Sequence, residues 1–223
     1  MSLEESGFTI VPGPVPRDAL SDLADAYDKA MAEADSEDLS IGSTTTRVHD
    51  FVNRGAAFDC LYTHPPVLEI CRRIIGQPFQ LSAMLARTLR PHAPAQPLHV
   101  DFPHDGQGWP MAGFIFMIDE FREENGATCF VKGSQGMTSL PASEELTPAC
   151  GAAGSMIVFN GSVWHGHGAN QTAKARRSIQ GAYVRRDAVA SMNWDARMRP
   201  ETLARIGPLA RYLLGLSATS RSE

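Results

Sequence analysis

Cysteine is scarce and scattered in this chain: Cys60, Cys71, Cys129 and Cys150 stand far apart, and none belongs to a CxxC pair. That spacing argues against a disulfide framework and a zinc site and leaves reduced thiols as the natural reading. Long apolar runs are missing as well, so the sequence offers no membrane span. The opening Met1-Ser2-Leu3-Glu4-Glu5 lacks the basic and apolar regions of a signal peptide, and a cytoplasmic protein is expected. Positive charge is in deficit: the formal net charge is -5, with no basic stripe, which disfavours a nucleic-acid partner. Internal repeats and low-complexity segments are absent too. What remains is a chain of 223 residues, long enough for a sizeable core. It is expected to form one domain, with a helical part over about 1–78, a β-rich core over about 79–186 and a helical segment over about 187–223.

Phe8-Thr9-Ile10-Val11 is a β-rich run stopped by Pro12-Gly13-Pro14. Leu20, Leu23, Tyr27 and Met31 then recur at helical spacing and predict a helix over about 17–34. The polar stretch from Asp35 to Thr46 reads as a loop whose length suggests a mobile or substrate-facing segment. A second amphipathic helix is predicted over about 66–75, with Gly76 as its stop. From about residue 79 the texture changes to short β-rich runs punctuated by turn residues. They cover roughly 79–90, 97–101, 111–118, 128–132, 156–160, 162–165 and 177–185, with Asn125-Gly126 marking a tight turn. Such spacing predicts an antiparallel sandwich or barrel, with Phe114 to Ile118 buried on both faces. Met198 to Leu214 reads as helical, broken at Gly207-Pro208, and the tail from Ser217 as polar and frayed.

The chemistry starts at Leu98-His99-Val100-Asp101. In an extended segment, His99 and Asp101 point to one side, because strand side chains alternate. An imidazole beside a carboxylate is two thirds of a 2-His-1-carboxylate triad, which leaves open positions on Fe(II). A distant histidine must complete it, and Trp164-His165-Gly166-His167 offers two candidates of the same parity. Further on stand Arg176 and Arg177, facing opposite ways if the strand is regular. One of the two should meet an anion in the pocket, since a buried guanidinium without one is costly.

The ordered set of these pieces resembles the phytanoyl-CoA dioxygenase-like family of Fe(II)/2-oxoglutarate oxygenases, over almost the whole chain. It comprises Gly7 to Gly13, Phe58 to Pro65, Leu68 to Gly76, Gln96 to Asp101, Glu124 to Thr128, Trp164-His165-Gly166 with Asn170, Arg176-Arg177 and the terminal Leu-Leu-Gly. The resemblance implies a mainly β fold with flanking helices, the double-stranded β-helix or jelly roll. It implies His99, Asp101 and His165 as metal ligands and catalytic centre, with Arg176 holding the far carboxylate of 2-oxoglutarate. In the family that arginine follows the distal histidine by the interval between His165 and Arg176. His167 and, by parity with Arg176, Ser178 are then expected beside the 2-oxoglutarate carboxylates. Where the family commonly reads Pro-Gly-Ser-His, this chain has Lys132-Gly133-Ser134-Gln135. Halogenases of this type carry Gly or Ala in place of Asp101, so hydroxylation or oxidative ring closure is favoured.

The implied partners are 2-oxoglutarate, dioxygen and a small-molecule substrate. The segment from Phe102 to Trp109 should line the pocket mouth, with His104 and Trp109 recognising a polar or glycosidic molecule. Parity allows either Arg87 or Thr88 to join them. The chain resembles compact tailoring oxygenases of antibiotic pathways. An acyl-CoA substrate, a ligand sensor without turnover and a zinc hydrolase on the same triad are the competing readings.

Overall fold

Phe114-Ile115-Phe116-Met117 sets the middle of the molecule. In the computed structural model, which describes residues 3–104, 106, 108–140 and 145–216, this run lies in the fully buried strand β5 (Met111–Met117). The preceding strands are β1 (Phe8–Pro12), β2 (Leu39–Ile41), β3 (Thr45–Val48) and β4 (Phe79–Leu89). After β5 come β6 (Thr128–Val131), β7 (Leu146–Pro148), β8 (Ser155–Asn160), β9 (His165–His167) and β10 (Arg176–Arg185). One sheet has the order β1-β8-β5-β10-β4-β3-β2 and the other β7-β6-β9. All the ladders are antiparallel. The architecture is a double-stranded β-helix flanked by helices.

The alternation of β5 explains the layering. Ala112, Phe114 and Phe116 join the helices in one core, whereas Ile115 and Met117 join Phe130, Ile157 and Phe159 in another. Helix α1 (Leu20–Ala32) buries Leu23, Tyr27 and Ala30, and α2 (Pro65–Ile75) buries Val67, Cys71, Ile74 and Ile75. Pro65 and Pro66 start α2 and Gly76 ends it at φ +68°, a conformation glycine adopts without strain. Burying a side chain the size of Phe114 or Phe116 contributes roughly 1.5–3 kcal/mol each, so this helix-covered face carries much of the stability.

Strand β4 changes parity on the way. Ala182 of β10 pairs with Ala83 but Tyr183 pairs with Leu81, so Ser82 is the extra residue of a bulge. Leu81, Met84 and Ala86 thereby all reach the helix-side core, while Ala83, Leu85 and Arg87 line a cavity on the other side.

Several sequence expectations are corrected. The stretch from Asp35 to Thr46 is not a plain loop: it holds β2 and the start of β3, with Gly42 N–H donating to Thr45 O to close the turn. Both are short strands without a clean apolar alternation, β2 at the sheet edge and β3 next to it, which hid them. The N-terminal part is therefore helical only in places. Residues 97–101 form no ladder, only a single bridge at His99; prolines at 91, 94 and 97 remove the donors a longer ladder needs. The run expected at 162–165 begins later, at His165, because Asn160 and Ser162 form a turn in which Asn160 Oδ1 accepts from Ser162 N–H at 2.9 Å. The C-terminal helix is three short ones, α3 (Trp194–Arg197), α4 (Pro200–Arg205) and α5 (Pro208–Leu213), the last two opened by prolines. The tail from Ser217 lies outside the described residues.

Candidate metal and co-substrate site

His99 and His165 meet as a hydrogen-bonded bridge: His99 N–H donates to His165 O at 3.0 Å and His165 N–H returns to His99 O at 2.9 Å. Gly166 makes this approach possible, since a Cβ there would stand 2.9 Å from Gln96 O. Asp101 N–H is fixed by Gly161 O at 2.9 Å. On the other side of β9, Ser134 Oγ donates to Val131 O and accepts from Trp164 N–H. The departure Lys132-Gly133-Ser134-Gln135 thus keeps the serine that braces the strand end.

The three side chains converge. His99 Nε2 lies 3.6 Å from Asp101 Oδ1 and His165 Nε2 3.7 Å from Asp101 Oδ2. One ligand atom from each fits within 4.8 Å of the others. The ring nitrogens are already sorted: His165 Nδ1 lies 2.9 Å from Val163 O, and His99 Nδ1 3.2 Å from Pro97 O. A carbonyl only accepts, so each Nδ1 carries the proton and each Nε2 offers its lone pair to the same point. Two neutral imidazoles and a carboxylate on one side suit Fe(II) with positions left open. The donor set fits the implied metal.

Electrostatics here follow from burial and pairing. The Asp101 carboxylate facing it raises the His99 imidazole above its ordinary value. Burial lowers His165, which is 6% exposed. Burial pushes Asp101 up, but His99, His165 and Arg87 together outweigh it and hold the carboxyl below its usual range.

Arg176 opens β10 on the face that also sends Gln180, Ala182 and Val184 into the cavity. It is 4% exposed, its Nε donates to Asn125 O at 3.2 Å, and its guanidinium lies 3.8 Å over the Phe121 ring. Gly126 at φ +79° supports that contact, and a Cβ there would collide with Leu89 and Gly168 O. Among the described residues Arg176 has no carboxylate partner. Burial, and then the charge of Arg87, lowers its guanidinium to about 9, a sign of a cation held ready for an anion. Arg177 faces the other way, into Asp119 and Asp28, at 2.7 Å from each.

The cavity, of about 400 Å³, lies between the two sheets. His167 lines it without joining the triad; Nδ1 donates to Gly168 O at 2.9 Å and Nε2 lies 3.4 Å from Thr44 Oγ1. Burial lowers its pKa to about 4, so the ring is neutral at ordinary pH. Ser178 lies on the same face of β10, between Arg176 and Gln180, and its hydroxyl donates to Arg87 O at 3.2 Å. Arg87 does line the cavity, with Nη2 donating to Gln96 Oε1 at 3.0 Å, while Thr88 faces α1 and meets Tyr27 Oη at 2.9 Å. His104 and Trp109 stack edge to face at 4.7 Å, and neither lines this cavity. Trp109 instead borders a small cleft with Leu3, Arg73 and Ile74. Asp105 and Gln107, also expected at the mouth, lie outside the described residues. Gln96 and Arg47 are among the lining residues that the sequence did not single out. Arg47 sits on β3 inside the supposed loop, and only its pairing with β4 reveals it.

Comparison with known proteins places this arrangement. A dioxygenase of Aspergillus fumigatus, af480, is 28% identical over 234 residues, covering 96% of this chain and 75% of that protein. The chain spans 66% and 54% of two further dioxygenases, from Penicillium canescens and Aspergillus terreus. Among solved structures, HygX from Streptomyces hygroscopicus, with nickel, 2-oxoglutarate and hygromycin B bound, superposes with a TM-score of 0.69 at 16% identity, covering 88% of this chain and 90% of that one. The α-ketoglutarate-dependent epimerase SnoN of nogalamycin biosynthesis also gives 0.69, at 19% identity over 82% of this chain and 79% of its own. These structures share the fold. The phytanoyl-CoA dioxygenase family matches residues 3–178, from the N-terminus through the triad to the arginine that opens β10, and this chain belongs to that family.

Proposed function

We propose that the chain is a single-domain, cytoplasmic Fe(II)/2-oxoglutarate oxygenase that oxidises a C–H bond of a small polar natural-product intermediate, releasing succinate and CO2. The observation that carries this is the conjunction of the converging His99, Asp101 and His165 with a buried Arg176 that has no carboxylate partner among the described residues. His99, Asp101 and His165 would hold the metal, which supplies activation of dioxygen and oxidative decarboxylation of 2-oxoglutarate. Arg176 holds the far carboxylate of 2-oxoglutarate, and His167 stands beside it as a neutral hydrogen-bonding ring. Leu85, Met111, Phe114, Ile115 and Phe159 exclude water around the reacting C–H bond. HygX, solved with hygromycin B bound, and SnoN, from nogalamycin biosynthesis, support a tailoring role. Among the described residues no helix is long and apolar enough to cross a membrane, and the four cysteines are free thiols, which supports the assigned compartment.

The test is succinate release. It is expected to need Fe(II), 2-oxoglutarate and dioxygen together and to accelerate with the true substrate. His165→Ala should abolish iron binding, whereas His167→Ala should keep iron and weaken 2-oxoglutarate. Iron bound by the His165 variant and lost from the His167 variant would exchange the two roles. Iron-loaded protein that releases no succinate with any pathway compound would instead be a ligand-binding protein.

A further inference from the structure

The cavity wall carries more positive charge than the metal and 2-oxoglutarate require. Arg47 of β3 and Arg87 of β4 are directly opposite in the antiparallel ladder. Like charges in that register repel, and each normally meets an acid or turns to solvent. Here both side chains line the cavity, half-buried. Arg87 spends one nitrogen on the neutral Gln96, and neither guanidinium forms an ion pair among the described residues. Burial, and then the charge of Arg47, lowers Arg87 to about 10, so the pair stands at a cost that a bound anion would relieve.

Arg47, Arg87 and Arg176 face the single carboxylate of Asp101, a surplus of two positive charges among the described residues. Fe(II) is a dication and 2-oxoglutarate a dianion, so their joint arrival leaves that surplus in place. The histidines do not change it, since His167 is neutral at ordinary pH and metal ligands are neutral imidazoles. Arg176 lies beside Leu89 in the ladder, whereas Arg87 lies beside Ser178, one pleat repeat further along and one strand over. The Arg47–Arg87 pair is thus centred one strand over from Arg176, near enough for the charge of Arg87 to act on Arg176 and for both to act on His167.

We propose that Arg47 and Arg87 form an anion seat for the substrate, and that the molecule oxidised here carries a carboxylate. This rests on the oxygenase reading above and narrows its polar substrate to an acid. The carboxylate would lie across the two guanidinium groups while the remainder of the molecule reaches over Leu85 and Met111 toward the triad. A sugar or polyketide without an acidic group would leave the pair unneutralised in the closed site.

The test uses the full chain, loaded anaerobically with Fe(II) and saturated with 2-oxoglutarate. Formate, acetate and benzoate are each titrated against the matching amide, following the charge-transfer band and the thermal midpoint. Each carboxylate is expected to bind more tightly than its amide, and the preference should weaken with added salt. Arg87→Gln and Arg47→Gln should each weaken the best carboxylate by about tenfold, with 2-oxoglutarate affinity changed by less than about threefold. Arg87→Lys should restore most of the loss, which a folding defect would not do. Carboxylates no better than their amides would overturn the proposal. So would a Gln variant that loses 2-oxoglutarate as strongly as the probe, because the pair would then serve the co-substrate. A protein that forms no band with 2-oxoglutarate refutes the oxygenase reading alone. The same titration by thermal midpoint on metal-free protein still reads the seat: a carboxylate preference lost in Arg87→Gln sustains it, and no preference refutes it.

Discussion

The two sides of the large sheet treat polar groups in opposite ways. On the helix side, several polar side chains of the strands meet a partner among the described residues. Arg177 is held by Asp119 and Asp28, Tyr27 meets Thr88, and the buried Tyr183 hydroxyl donates to Tyr62 O. On the cavity side, Arg176, Arg87 and Arg47 have no acid in contact among the described residues, and Nε2 of both His99 and His165 faces the same point. A fold that only needed stability would not leave them so, because an unpaired buried charge costs several kcal/mol. The charged side chain on the helix side is neutralised by the protein's own acids; those on the cavity side are complementary to a ligand. The neighbouring arginines of β10 put this contrast into adjacent residues.

The sharpest way to break the comparison is Arg176→Met. If its guanidinium holds the far carboxylate of 2-oxoglutarate in a partly dry site, truncation removes about 2–5 kcal/mol of binding. The 2-oxoglutarate dissociation constant should then rise by about 30-fold or more, while iron still binds. Anaerobic titration of the charge-transfer band reads both. The variant should also fold at least as stably as the parent, since it deletes a buried cation that lacks an acid partner. A loss of 2-oxoglutarate affinity below about threefold would move the anchor elsewhere in the cavity.

A middle-sized effect comes from His167, whose ring is buried neutral with a pKa near 4. An unfolded histidine titrates near about 6.5, so between those values the unfolded chain binds a proton that the native chain refuses. Stability therefore falls as pH drops from about 6.5 toward 4 and is complete above that window. His99 runs the other way: its raised pKa adds stability below the unfolded value, lost as pH rises through the folded one. Denaturant titration of metal-free protein across this range should show a flatter acid limb in His167→Asn than in the parent. Identical slopes would place the acid sensitivity in other groups.

How far the sequence disclosed this contrast depends on how local the signal was. His99 and Asp101 stand close enough in sequence to be seen as a unit, and β10 is regular over Arg176 and Arg177, so simple alternation separates the two. The choice of His165 rested on resemblance, because Gly166 and Gly168 left the local backbone open. In the structure the close approach of Gln96 to Gly166 is what seats it. Arg47 was invisible for a different reason. Its strand is four residues long, flanked only by the short edge strand β2 on one side, and its meaning comes from register with Arg87, a long-range pairing that no local pattern encodes. His104 and Trp109 misled because an aromatic after the triad suggests a pocket mouth, while the chain turns there to pack Trp109 beside α2. Ser178 keeps the parity expected of it, with its hydroxyl donating to Arg87 O.

The smallest expected effect, and the control for the whole contrast, is Arg177→Met. Arg177 donates its backbone N–H and its side chain to Asp119 and reaches Asp28 of α1. Those two acids, with the Asp119 hydrogen bond foremost, raise its guanidinium above the ordinary value. The group is a quarter exposed and Asp28 more than half, so solvent screens much of the attraction. Truncation should lower stability by about 1 kcal/mol. It should change the 2-oxoglutarate dissociation constant by no more than about threefold, because the side chain lies across the sheet from the cavity. Comparing this variant with Arg176→Met in both measurements gives the expected cross: Arg176→Met loses ligand and keeps stability, and Arg177→Met loses stability and keeps ligand. Equal ligand losses in the two would mean that β10 does not hold its register in solution. A greater loss at Arg177 would put the co-substrate on the helix side, which the burial of Arg176 beneath Phe121 argues against.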